Sequence, residues 1–262
     1  MDLGIEGKCA LVLASSQGLG FGVAKQLASE GARVVLTGRN ADRLSDAVAE
    51  INALFPGTAA HVVADLGDVD TPARLLKEAS TVFGPVDILV INSGGPAPAP
   101  ASRVSLDTWN AEFAKMVTPL FEIVRLAVDG MRQRKWGRIV ALASSGVVQP
   151  IPHLAVSNAL RASLTSWLKT LSFEVAVDGV TVNVVAPGRI ATQRVAQLDQ
   201  AAAERTGGTV GDVQKASIAT IPTGRYGTVE EFSSVVAFLV SQQCSYVTGS
   251  IVRVDGGMIK SL

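Results

Sequence analysis

The stretch Ser15-Ser16-Gln17-Gly18-Leu19-Gly20 is the one best suited to hold a charged group. Glycine lets backbone N–H groups come close to an anion, and the unpaired N–H groups of a helix start, together with the helix dipole, favour a phosphate there. The pyrophosphate of a dinucleotide is the natural ligand, although turns of this kind also serve helix packing. Gly38-Arg39-Asn40, Asp65-Leu66, Asn92-Ser93-Gly94-Gly95-Pro96, Ser144-Ser145-Gly146 and Pro187-Gly188-Arg189-Ile190-Ala191-Thr192 each follow a short apolar run. Small and polar residues just beyond a strand are where open α/β sheets bind ligands.

The elements that position these turns follow from periodicity. Ala10 to Ala14 is an apolar run that enters the glycine turn, Phe21, Ala24, Leu27 and Ala28 continue at helical spacing to a stop at Gly31, and Ala32 to Thr37 is a second strand. Together they make a βαβ crossover. Val62 to Ala64, Ile88 to Ile91, Ile139 to Leu142, Val180 to Val185 and Ile251 to Val254 supply the remaining strands. Helical stretches lie between them, such as the one bearing Leu160, Leu164, Leu168 and Leu171, which predicts a parallel sheet covered on both faces. The expectation is a single α/β domain over residues 1–262, doubly wound, with seven strands.

Composition excludes several classes. Lys+Arg and Asp+Glu balance at 23 each, leaving no field that draws nucleic acid or an anionic membrane surface, and 48% hydrophobic residues supply a large core. Arg132, Arg134, Lys135 and Arg138 form the densest basic cluster and read as a solvated helix end whose cations complement the dipole. Cys9 and Cys244 have neither metal-ligand nor redox-motif spacing, which fits a reduced cytoplasmic compartment with no metal site. No apolar run reaches membrane-spanning length, and Met1 to Glu6 shows no targeting pattern.

From about Lys8 to Gly257 the chain resembles the short-chain dehydrogenase/reductase family, particularly its 3-oxoacyl-(acyl-carrier-protein) reductases. The resemblance is carried by Pro187-Gly188 with Thr192, Gly224-Arg225-Tyr226-Gly227 with Glu230-Glu231, Tyr246-Val247-Thr248-Gly249, and Val254-Asp255-Gly256-Gly257. It implies a Rossmann fold with strand order 3-2-1-4-5-6-7. Two motifs depart from the family. Its Thr-Gly-x-x-x-Gly-x-Gly places the threonine at Leu13 and the first glycine at Ala14, and its Asn-Asn-Ala-Gly stands here as Ile91-Asn92-Ser93-Gly94. If Leu13 and Ile91 are neighbours, an apolar contact replaces a polar one without stranding a buried group.

An acidic residue about twenty positions past the glycines binds the ribose of NAD, whereas an arginine accommodates the extra phosphate of NADP. Arg39 stands there, so NADP is expected in preference to NAD; a surface arginine capping a turn is the alternative. The resemblance adds Ser15 as a second phosphate contact, Asp65 for the adenine amino group, the backbone of Asn92, Ser93 and Gly94 along the ribose, and Leu66, Pro187, Gly188, Ile190 and Thr192 as further cofactor-binding residues.

The family reduces carbonyls by hydride transfer while a tyrosine donates the proton, a lysine one turn later tunes the phenol, and a serine polarises the carbonyl. The serine maps to Ser144. The tyrosine maps to Ser157 and the lysine to Arg161, so Tyr-x-x-x-Lys has become Ser157-Asn158-Ala159-Leu160-Arg161. The family's relay asparagine falls near Met116, with Asn110 well short of it. Tyr226 and Tyr246 are the only tyrosines, both in C-terminal motifs. A serine hydroxyl is a far poorer acid than a phenol, and arginine cannot exchange protons, although it binds a ribose or an anionic substrate. His153, one turn before Ser157, is a candidate proton donor, and equally a cap or packing residue after Pro150-Ile151-Pro152.

The resemblance implies a substrate lid at about 190–222, where a surface excursion with no role is equally compatible, and a stiff apolar wall at Ala97 to Ala101 beside the nicotinamide. The helical stretches Leu106 to Arg134 and Leu154 to Val177 resemble those through which the family forms homotetramers or homodimers, although their apolar residues equally suit the core. The sequence therefore supports an NADP(H)-dependent oxidoreductase acting on a small carbonyl or alcohol. The alternatives are a nucleotide-binding protein without catalysis and, third, non-redox chemistry in which Arg161 holds an anionic substrate.

Overall fold

In the computed structural model, which describes residues 1–261, strand β1 (Cys9–Val12) is buried along its whole length. Its alternating side chains explain why. Ala10 and Val12 enter one apolar layer, Cys9 and Leu11 the other, so the strand is sandwiched between helices on both faces. The parallel sheet runs β3 (Ala59–Val63), β2 (Arg33–Gly38), β1, β4 (Ile88–Ile91), β5 (Gly137–Leu142), β6 (Val180–Pro187) and β7 (Ile251–Val254). That is the expected order. It contains a reversal between β1 and β4, the place where ligands lodge at the carboxyl ends of such sheets.

Helices α1 (Gly18–Ser29), α2 (Ala41–Leu54) and α3 (Thr71–Phe83) connect the first four strands. The stretch Leu106 to Arg134, expected as one helix, is two: α4 (Leu106–Met116) and α5 (Thr118–Gln133). Val117 leaves helical geometry at φ −121°, ψ −57°. Pro119 is the physical cause, since its ring clashes with the carbonyl four residues earlier and it has no N–H to donate. Helix α6 (Ala155–Val175) is continuous. Beyond β6 the chain forms α7 (Gln193–Thr206) and α8 (Val210–Ala219), separated by Gly207 in the left-handed conformation, as the glycines of the lid region suggest. Helix α9 (Val229–Leu239) closes against α1 across the first core layer.

The basic cluster is not simply a solvated helix end. Arg132 and Lys135 both bind Asp178, and Arg134 lies 3.3 Å from Asp87. Arg138 is 1% exposed, because it lies in β5 rather than on the helix; its guanidinium donates to the carbonyls of Ser241, Gly137 and Gly179 and stacks on Trp136. Among the described residues no helix is long and apolar enough to cross a membrane.

Candidate active site

The glycine turn begins with strain. Ala14 sits at φ 47°, in the left-handed region that favours glycine. Its N–H donates to Thr37 Oγ1 at 3.2 Å and its carbonyl accepts from the Asn92 side-chain amide at 3.0 Å, so the turn is held between the ends of β2 and β4. A Cβ on Gly20 would lie 2.5 Å from the Ala14 carbonyl oxygen and 2.9 Å from Asn92 Nδ2, so Gly20 permits the close approach of α1 to that turn. Gly18, at φ +62°, faces open space instead. The N-cap residue Gln17 makes no side-chain cap hydrogen bond, and the first turn of α1 holds no acidic residue. N–H groups in an uncapped first turn suit a phosphate, so the residues present fit the pyrophosphate of a dinucleotide. Leu19 packs its side chain against the core and offers only its backbone.

Leu13 and Ile91, 0% and 1% exposed, lie in the same apolar layer, where β1 and β4 run side by side. The apolar substitution is therefore paired. A lone polar group left at either position would cost about 1–3 kcal/mol.

Ser15 corrects one expectation. It is completely buried; its hydroxyl donates to the Val12 carbonyl at 2.7 Å and accepts from Thr37 N–H at 2.9 Å. The group is consumed in bracing the turn and does not reach the rim as a phosphate contact. Ser16 is the half-buried neighbour whose hydroxyl would be 3.3 Å from a Cβ on Gly38, the residue before Arg39. Arg39 is exposed and stands 4.0 Å from Asp65, whose carboxylate also accepts from Gly67 N–H at 2.9 Å. Arg43, one turn into α2, donates to Gln17 Oε1 at 3.4 Å. The signal that could have found this second cation was its place in the first turn of the helix that opens, at Asn40, directly after Arg39. Leu66 packs against the second apolar layer.

At the far side of the rim, Gly188 N–H donates to the Val254 carbonyl at 2.9 Å, and a Cβ on Gly188 would come within 2.7 Å of Asp255 Cα. Pro187, the last residue of β6, precedes it. Ile190 is buried and bridges to Gly227, so its side chain faces the interior. Thr192 caps α7 through its hydroxyl, which accepts from Val195 N–H at 3.4 Å.

The retained Ser144 and the two substituted positions, Ser157 and Arg161, lie at the end of β5 and on the first turns of α6. Ser144 follows β5, and its hydroxyl accepts from Gly146 N–H at 3.1 Å. Arg161, on α6, donates to the Leu142 carbonyl at 3.0 Å and to those of Ser93 and Gly94 at 3.4 Å each. Burial, and behind it the charge of Arg194, pulls the Arg161 guanidinium down to about 10. Ser157 lies half-buried one turn earlier on α6. Beside it, Asn158 donates to the Ile151 carbonyl at 2.9 Å, while its Oδ1 is buried with no partner among the described residues.

His153 is exposed and sits at φ 63°; its carbonyl accepts from Ala99 N–H at 2.7 Å, which ties the Ala97 to Ala101 loop to the mouth of α6. The N-cap of that helix is Leu154, with no side-chain cap hydrogen bond, so His153 is not its cap. Met116 is 6% exposed in an apolar cluster with Val156 and Leu160, and Asn110 is exposed on α4. The Tyr226 hydroxyl donates to Asp199 at 3.0 Å, and Tyr246 is fully exposed.

Arg194 lies in the first turn of α7, within the stretch 190–222. It donates to the Pro96 carbonyl at 2.8 Å, and burial lowers its pKa as well. Nothing in local sequence pattern predicts that contact, since it joins segments far apart in the chain.

The sequence matches the family model described as enoyl-(acyl carrier protein) reductase over residues 13–259. It is 33% identical over 260 residues to the 3-oxoacyl-(acyl-carrier-protein) reductase FabG of Aquifex aeolicus (strain VF5), covering 98% of this chain and 100% of that one. To the NADPH-dependent reductase BacG of Bacillus subtilis (strain 168) it is 28% identical over 256 residues, covering 97% and 99%. The solved structure of L-sorbose reductase from Gluconobacter frateurii, complexed with NADPH and L-sorbose, superposes with a TM-score of 0.93 at 32% identity over 100% of both chains. With the sheet order, the uncapped glycine turn and these matches over nearly its whole length, the chain belongs to the short-chain dehydrogenase/reductase family.

Proposed function

We propose that this chain is an NADPH-dependent oxidoreductase of carbonyl compounds, similar to the 3-oxoacyl reductases, in which Ser144, Ser157 and Arg161 replace the tyrosine-based centre. The observation that carries this reading is the pairing of an uncapped α1 with the Arg39, Arg43 and Ser16 cluster beside it. The turn Ser16 to Gly20 would hold the pyrophosphate through backbone N–H groups, with Ser15 beneath it tied to Thr37 through both its N–H and its hydroxyl, and Arg39 with Arg43 and Ser16 would hold the 2′-phosphate. Asp65 and Leu66 flank the adenine end; Asn92, Ser93 and Gly94 line the ribose; Pro187, Gly188, Ile190 and Thr192 close the nicotinamide end. NADPH when bound supplies the hydride.

Ser144, beyond β5, polarises the substrate carbonyl with its hydroxyl. Arg161 fixes the ends of β4 and β5 to α6 and supplies a permanent positive charge beneath the carbonyl, which stabilises developing negative charge but cannot deliver a proton. The proton then comes through Ser157 from solvent or from His153, whose exposed position at the mouth of α6 gives it access to water. Residues 190–222 serve as the lid of one domain spanning 1–262. Phe121 and Trp167, with ring centroids 4.4 Å apart, line a groove of about 440 Å³ between α5 and α6, and this face joins copies of the chain into a dimer or tetramer. Two buried free cysteines, Cys9 and Cys244, suit the cytoplasm.

A second reading, a nucleotide-binding protein without turnover, is favoured by the engagement of Tyr226 with Asp199 and the burial of Met116 at the relay position. Fluorescence titration with NADPH, followed by its consumption over a panel of carbonyl compounds, decides between them, alongside Ser157→Tyr combined with Arg161→Lys. Consumption by the native chain supports the oxidoreductase. Tight binding with no consumption by the native chain, and consumption only by the double variant, supports the second reading.

A further inference from the structure

Arg161 and Arg194 reach the Gly94-Gly95 step from different elements. Nη2 of Arg161, rising from α6, donates to the carbonyls of Ser93 and Gly94, while a Cβ on Gly95 would lie 2.9 Å from Nη2 of Arg194, at the start of α7. Both side chains are half-buried. Neither has a carboxylate within 4.0 Å among the described residues; their recorded partners are neutral main-chain carbonyls. Arg189, on the same rim and about as buried, is by contrast neutralised by Asp199 at 2.7 Å.

Two guanidinium groups withdrawn from water, close enough to repel and without an anion, form an arrangement that costs stability unless something negative completes it. Each presents five N–H donors in a planar fork that matches a carboxylate or a phosphate, and the carbonyls on this rim occupy only some of them. Gly95 lets the Arg194 guanidinium lie against the loop, because a Cβ there would come within 2.9 Å of it.

Resting on the reading that Ser144 and Ser157 mark the carbonyl position, we propose that Arg161 and Arg194 form an anion clamp and that the substrate is a carbonyl compound carrying a carboxylate or phosphate. The anion docks between the two guanidinium groups beside Gly95, and Arg194, the one contributor from the lid region, couples its arrival to closure of α7. The partner chemistry is a small oxo acid or an oxo phosphate rather than a neutral ketone.

The test is calorimetric titration of the chain loaded with NADP⁺, so that no turnover occurs. Matched probes are acetoacetate and levulinate against their methyl esters, and dihydroxyacetone phosphate against dihydroxyacetone. The charged member of at least one pair binds at least tenfold more tightly, and which pair responds distinguishes carboxylate from phosphate. Arg194→Gln abolishes that preference, Arg194→Lys restores part of it, and NADP⁺ affinity stays within twofold in both. Neutral probes binding as well as charged ones, an undiminished preference in Arg194→Gln, or no binding by any charged probe at millimolar concentration overturns the proposal. NADPH consumption with neutral ketones alone would leave the oxidoreductase reading standing while the clamp falls; anion binding without any consumption does the reverse.

Discussion

The Asn92 side-chain amide donates to the Ala14 carbonyl at 3.0 Å, and Ala14 itself sits at φ 47°. The residue that bridges the ends of β1 and β4 is thus held in a conformation its methyl group disfavours. Ala14→Gly relieves that strain, and thermal unfolding should show a gain of about 0.5–1 kcal/mol after the extra flexibility of glycine in the unfolded chain is discounted. A lower melting temperature for the glycine variant would show that Ala14 is accommodated without strain.

Arg39 is exposed, with only a 4.0 Å contact to Asp65, so its loss leaves the fold intact. Arg39→Glu should weaken NADPH binding at least tenfold, about 1.4 kcal/mol, while NADH binding changes little. Fluorescence titration with both nucleotides measures the difference, and a parallel loss for NADH would place Arg39 elsewhere than at the 2′-phosphate.

Arg161→Met removes the donor to three carbonyls at the ends of β4 and β5. Of these acceptors only the carbonyl of Leu142 belongs to a buried residue, and leaving it unpaired costs about 1–3 kcal/mol, so the melting temperature falls. Calorimetry of the variant checks this; an unchanged melting point would mean that water replaces the guanidinium at no cost.

Trp167→Glu puts a charge into the groove between α5 and α6, beside Glu174. Sedimentation should show this variant as a smaller species than the parent, with helix content retained.

Glu231 caps α9 and pairs with Arg225, and these contacts bring its carboxyl from 4.5 down to about 2. A depressed carboxylate stabilises the fold above its unfolded pKa and loses that contribution as pH falls through the folded value. The melting temperature of Glu231→Gln should therefore lie below that of the parent at neutral pH and converge on it as pH drops from about 4.5 towards 2. A gap that persists at the acid end would indicate a cause other than charge.

The sheet was legible because both faces are covered. A strand that is apolar on every side, such as Ile88 to Ile91, leaves an uninterrupted run in the sequence. The break at Val117 was also written there, in Pro119, but the apolar spacing of the flanking helices conceals it. Choosing between Ser15 and Ser16 needed three dimensions: adjacent hydroxyls have the same chemistry, and only the path of the turn sends one inward to Val12 and Thr37. Arg138 belongs to the same class. Its burial depends on carbonyls of Gly179 and Ser241, contributed by segments with no local relation to it. Arg161 was found by its place in a motif, whereas its neighbour Arg194 could be found only once the lid was folded over Pro96.

Helix α7 is tethered unequally. Towards its middle, Asp199 is wholly buried and receives both Arg189 and the Tyr226 hydroxyl, while near its start Arg194 holds the Pro96 carbonyl by one bond. Such a helix behaves as a lever with its fulcrum at Asp199. If the proposed lid opens, these contacts make the opening a tilt of the free end, with the residues around Asp199 and Ala203 staying seated, and the residence time of a bound molecule would follow how often a single latch lifts rather than melting of the segment. Amide exchange records this as slow exchange near Ala203 and fast exchange at Val195 and Ala196, a gradient along one helix.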